Sequence, residues 1–147
     1  MELDAFVLGN WDFSFGKDQL LNLVRELPFP AVACNVVDLN NEYLLRPFII
    51  KKINEVNVGI IGTTYPFVDE TMPDSFSKGL KFSLGVAEVQ RCVDLLKEEN
   101  VDLIILISHM GLPIDYKLAS MIDGINIILS AHSLFTWMAL WSSGCTG

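Results

Sequence analysis

The sequence predicts an α/β fold on a sheet with parallel segments, and three observations carry that reading. Strand-sized apolar runs alternate with helical patterns from end to end. Two late runs, "VDLIILIS" and "INIILS", are apolar almost throughout, as strands covered on both faces are. Finally, Asn10, His109 and His132 each stand just past the C-terminal end of such a run. In open α/β sheets that is where ligands bind.

In chain order, Ala5 to Leu8 reads as a short strand. Asp18 to Leu27 sets Leu20, Leu21, Val24 and Leu27 on one helical face, and "LPFP" stops it, because proline cannot continue the hydrogen-bond ladder. Ala31 to Val36 is a small, apolar strand. Tyr43 to Lys51 and Asn57 to Gly62 read as two strands around a turn at Asn54-Glu55. Pro66 to Lys81 reads as a loop. Leu84 to Glu99 is the clearest helix, with Val86, Val89, Val93 and Leu96 at 3/4 spacing. After the "VDLIILIS" strand, Asp115 to Ile122 reads as a short helix stopped by Gly124. The "INIILSAHS" strand closes the pattern. No linker divides the chain.

Composition narrows the function. With 147 residues, 51% hydrophobic and 19% charged, the chain has the makeup of a folded domain. A net charge of −8 argues against nonspecific nucleic-acid binding, which needs clustered Lys and Arg. It leaves room for an anionic small substrate, since a bound metal reverses the local field. Cys34, Cys92 and Cys145 are too few and too scattered for a disulfide framework or a zinc motif; Cys34 and Cys92 read as small core residues. "MELDAFVLGN" has no basic, apolar leader pattern, and no run reaches the length of a spanning helix, so a cytoplasmic chain without a membrane partner is expected.

His109 and His132 are the chain's two histidines, and both occupy the same kind of position. Imidazole nitrogen and amide oxygen both ligate metals, and such a set suits Mn, Fe or Zn. The plainer alternative is a strand-end histidine that hydrogen-bonds a loop, with Asn10 an ordinary turn residue. Trp11 reads as an aromatic packing on its loop, and Asp12 and Asp115 as turn or helix caps. The frames G-x-G-x-x-G, G-x-x-x-x-G-K-[ST] and G-x-S-x-G are all absent, which argues against dinucleotide, P-loop and nucleophile-elbow chemistry.

The blocks "GNWDFSFG", "ACNV", "KKINEVNVGIIGTTYP", "TMPDSFSKGLKFSLG" and "ILISHMGLPIDYKLASMIDGINIILSAHS" resemble the 5′-nucleotidase branch of the calcineurin-like metallophosphoesterases. The similarity runs over residues 4 to 133, so 1–133 is expected to be a partial metallophosphoesterase domain and 134–147 a discordant tail. The resemblance implies an αββα sandwich with two divalent metals at the strand ends, which clamp a phosphate and activate water. It implies Asn10, His109 and His132 as ligands of one metal, and a nucleotide or other phosphomonoester as substrate. No catalytic residue carries over.

The departures from the pattern are as informative. The Asp-x-His block and the bridging Asp belong before Asn10, where only nine residues stand. Trp11 replaces the usual His after the Asn, Ser14 falls where its acidic partner belongs, and Leu134 replaces the second His of Gly-His-x-His. An Asn-Trp pair resembles the thiosulfohydrolases. Three expectations follow: a metal-dependent phosphoester hydrolase impaired as an isolated chain, a non-catalytic or weakly metal-binding fragment, or a sulfur-ester hydrolase. The truncated sheet edge and the aromatic tail with Trp137 and Trp141 add an expectation of self-association.

Overall fold

The computed structural model describes residues 3–133, with 137–140 as backbone. In chain order the elements are β1 (Phe6–Val7), a 3-10 turn (Asn10–Phe13), α1 (Gly16–Glu26), β2 (Ala31–Val32), β3 (Val36–Asp38), β4 (Phe48–Ile53) and β5 (Val56–Thr63). Then follow α2 (Val68–Thr71), α3 (Asp74–Ser77), β6 (Leu80–Phe82), α4 (Val86–Glu98), β7 (Leu103–Ser108), α5 (Leu112–Ala119), β8 (Ile127–Ser130) and β9 (Trp137–Leu140).

The main sheet has the order β4-β5-β7-β8-β9. Its three central strands are parallel and its two outer strands antiparallel. Parallel neighbours need crossover connections, and α4 and α5 provide them. The mixed α/β class is therefore as the sequence predicts. Register matters for the site: Thr63 of β5 lies beside Ser108 of β7, which lies beside Ser130 of β8. Three hydroxyl residues thus form one row across the strand ends, just before His109 and Ala131-His132.

Two smaller pairings complete the frame, β1 with β2 in parallel and β3 with β6 antiparallel. Gly62 lets β2 lie close to β5, since a Cβ there would stand 2.3 Å from the Val32 carbonyl oxygen. One apolar core lies under α4 and α5 and includes Val89, Val93, Leu96, Leu106, Leu118 and Ile128. The second gathers Leu8, Phe13, Leu20, Val36, Val68 and Phe76 beneath α1 and the short helices. Cys34 and Cys92 are buried free thiols, as their apolar surroundings suggest. None of the described helices is long and apolar enough to cross a membrane.

Several elements differ from the sequence reading. The Ala31–Val36 run splits into β2 and β3, because the Asn35 side chain takes over the backbone bonding between them. Its Nδ2 donates to the Thr64 and Ser83 carbonyls at 2.9 and 3.0 Å, and its Oδ1 accepts from Thr64 N at 2.8 Å. The Pro66–Lys81 stretch is structured rather than a loop: α2, α3 and β6 each bury one apolar residue, Val68, Phe76 and Leu80. The β4 strand starts at Phe48; Tyr43 and Arg46 make only isolated bridges. The α5 helix starts at Leu112, three residues before the expected start, since Pro113 suits a first helical turn. In the tail, the backbone of residues 137–140 pairs with β8. Residues 134–136 and 141–147, with Leu134, Trp141 and Cys145, lie outside the described residues.

Candidate metal centre

The two histidines meet. His109 follows β7 directly, and its backbone N–H donates to the Thr63 carbonyl at 2.8 Å. His132 stands two residues past β8, where Ala131 N–H donates to the Ser108 carbonyl at 2.8 Å. Their ring centroids are 5.0 Å apart, edge to face at 70°. Tyr65 stacks on the other ring, with its centroid 4.3 Å from that of His132 and the planes at 22°. His132 has φ +74°, a left-handed conformation that costs of order 1–3 kcal/mol in a residue with a side chain and persists only where neighbours over-determine it.

The Asn10 turn lies beside His109. Gly9 lies directly against the His109 ring: a Cβ there would fall 3.0 Å from Cε1 and Nε2. A side chain at that point would crowd the ring. Asp12 is a cap, as expected, with Oδ2 accepting from Gly9 N–H at 2.6 Å. The Asn10 amide donates through Nδ2 to the Met72 sulfur at 3.6 Å, a soft contact that leaves the amide oxygen to other partners. Trp11 lies edge-to-face with Phe76 of α3, ring centroids 6.0 Å apart, and stays 70% exposed, so its contact is with α3 and not with its own loop. Ser14, where the resemblance would want an acid, sits at the C-terminal end of the 3-10 turn and donates its N–H to the Trp11 carbonyl.

Burial, followed by the neighbouring His132, pushes the His109 pKa below the ordinary imidazole value, while Asp12 pulls it weakly back. A neutral imidazole is the form that ligates a metal. The pair of imidazoles from adjacent strand ends is of a donor type that suits one borderline divalent ion. It does not fit a bridged metal pair, which needs a carboxylate between the ions. Among the described residues no group of three or more His, Cys, Asp or Glu side chains stands close enough to hold a metal.

Asp115 is a correction. The sequence reading made it a helix cap; the structure buries it to 2% exposure, and its carboxylate accepts hydrogen bonds from Ser108 Oγ (2.6 Å) and from Ser130 Oγ. Burial raises its pKa, and the two hydroxyls oppose that. Sequence reasoning also passed over Tyr65 and Gly9. For Ser108 and Ser130 a signal was present: both apolar strands end in serine, one residue before His109 and two before His132.

No family model matches the chain. Among curated proteins it is 29% identical over 137 residues to a Haemophilus influenzae NAD 5′-nucleotidase, covering 90% of this chain and 22% of that one. Among solved structures it superposes with TM-score 0.82 on the sulfate thiohydrolase SoxB of Thermus thermophilus, at 30% identity over 87% of this chain and 24% of that one. It also superposes with TM-score 0.82 on the calcineurin-like phosphoesterase YfkN of Bacillus subtilis, at 25% identity over 89% of this chain and 45% of that one. The chain spans about a quarter of the length of the curated relatives it matches. The sheet order, the strand-end histidines and these comparisons together make the chain similar, over most of its own length, to calcineurin-like phosphoesterases and 5′-nucleotidases.

Proposed function

We propose that this chain carries one half of the metal centre of a metal-dependent phosphoester hydrolase of the 5′-nucleotidase type, with Asn10, His109 and His132 holding one divalent ion. The observation that supports it most is the meeting of both imidazoles at adjacent strand ends, with Gly9 packed against the His109 ring. A bound ion there supplies Lewis acidity toward a phosphoryl oxygen. The chain's own part is to keep two imidazoles in place, with Gly9 against the His109 ring and Tyr65 stacked on the His132 ring. Mn, Zn and Fe all suit the donors. The substrate class is a nucleotide or similar phosphomonoester. A bridging carboxylate is not among the described ligand positions, so the isolated chain binds one ion and turns over such a substrate poorly.

A sulfur-ester substrate is the second reading, favoured by the exposed Trp11 beside Asn10 and by the similarity to the sulfate thiohydrolase. One assay separates the two. The metal-loaded chain is given a nucleoside 5′-monophosphate and, separately, a thiosulfate ester. Phosphate release that disappears in Asn10→Ala supports the first reading, and release of sulfate alone supports the second. If the chain binds no Mn, Zn or Fe, both readings fail, and the chain is a non-catalytic relative.

A further inference from the structure

We infer that Asp115 is a positioning residue that fixes both site histidines by tying the ends of β7 and β8 to the first turn of α5. Its two carboxylate oxygens are divided between the strands: Oδ1 accepts from Ser108 Oγ at 2.6 Å and Oδ2 accepts from Ser130 Oγ. Ser108 immediately precedes His109, and Ser130 precedes Ala131-His132. All three members are at most 5% exposed, so water does not compete for these bonds.

The ties continue around each histidine. Ser108 Oγ also accepts from Met110 N–H at 3.1 Å, so one hydroxyl brackets His109 from both sides. On the other strand, Ser133 Oγ accepts from Leu112 N–H at 3.1 Å, so α5 grips the backbone on both sides of His132. The left-handed backbone of His132 lies between these two ties. Strand pairing fixes the height of the two ends, but the loops that follow them have few bonds of their own. Among the described residues, the Asp115 carboxylate is the side-chain group that hydrogen-bonds both strand ends. Thr63, the third hydroxyl residue in the row, is buried and takes no part in the tie.

Outer groups that orient metal ligands commonly change metal affinity by 10–100-fold when removed. The proposal therefore rests on the half-site reading for its effect on metal, though not for its effect on the rings. The test uses the full chain and its two histidines as reporters. Ring carbon–proton resonances of His109 and His132 are recorded by NMR for the parent, Asp115→Ala, Asp115→Asn, Ser108→Ala and Ser130→Ala, with Ile122→Ala as a control for simple loss of core packing.

In the parent, stacking on Tyr65 and the edge contact between the rings displace these resonances from those of a free imidazole. Asp115→Ala moves both toward the free position, while Asp115→Asn, whose amide oxygen still accepts one hydroxyl, moves them less. If Asp115→Ala does not fold, the serine variants decide. Each cuts one tie and displaces the ring on its own strand more than the other. Ile122→Ala lowers the melting temperature and leaves both rings in place. A Co²⁺ titration of the same proteins shows about tenfold weaker binding in Asp115→Ala. Unmoved rings in the aspartate and serine variants, or an equal displacement in Ile122→Ala, overturn the proposal. A parent that binds no Co²⁺ overturns the half-site reading, and the ring positions still decide the role of Asp115.

Discussion

The histidine arm and the asparagine arm of the site are built in opposite ways. His109 and His132 leave the ends of two central parallel strands and are held by backbone bonds, a buried carboxylate and a stacked tyrosine. Asn10 opens a 3-10 turn after a two-residue strand, and the one side-chain bond its amide makes among the described residues is to a methionine sulfur at 3.6 Å. The histidine arm is thus pre-organised for a ligand, while the asparagine arm is held by its backbone and by the fit of Gly9 against the His109 ring. Pre-organised groups give up little entropy when they bind, so under the proposed function most of the affinity for an ion is expected from the histidine side.

This contrast ranks the variants. The largest stability loss is expected from Asp115→Ala, which leaves Ser108 and Ser130 hydroxyls buried without their acceptor and costs about 2 kcal/mol, read by chemical denaturation. Gly9→Ala comes next. Its Cβ would press on the His109 ring at 3.0 Å, and overpacking of that kind costs about 1 kcal/mol or more and tilts the ring, which lowers metal affinity as well. Asn10→Ala costs less than about 0.5 kcal/mol in stability, because its amide makes only a soft contact, yet it weakens metal binding. Trp11→Ala is nearly neutral for folding, within about 0.5 kcal/mol, given its exposure.

The pH dependence isolates the buried carboxylate. Burial holds the Asp115 pKa above the ordinary 3.8, so the folded chain retains a proton that the unfolded chain releases first. Its contribution to stability is full below 3.8 and is lost as pH rises through the folded value. Asp115→Asn cannot titrate there. Its stability relative to the parent therefore climbs as pH rises from below 4 toward neutrality, measured by denaturation at stepped pH.

The same contrast separates what was legible in the sequence from what was not. The strand-end histidines were legible because "LIILISH" and "IILSAH" are apolar runs whose length and period place the last residue at a sheet edge. The α4 helix was legible from its 3/4 spacing, and the β4–β5 hairpin from its turn at Asn54-Glu55. Asp115 was misread because an acidic residue in a first helical turn ordinarily caps it, and only register brings two serines from separate strands onto its carboxylate. The α2–α3–β6 stretch was misread because elements of three or four residues carry no period. Its order comes from Val68, Phe76 and Leu80 reaching the second core.

The central claim is that His109, His132 and Asn10 still hold an ion. Its most direct test is the metal content of the purified chain by mass spectrometry, with His109→Ala and His132→Ala measured beside it. The account predicts close to one divalent ion per chain, lost in both variants. An ion retained in either variant, or none in the parent, would contradict it.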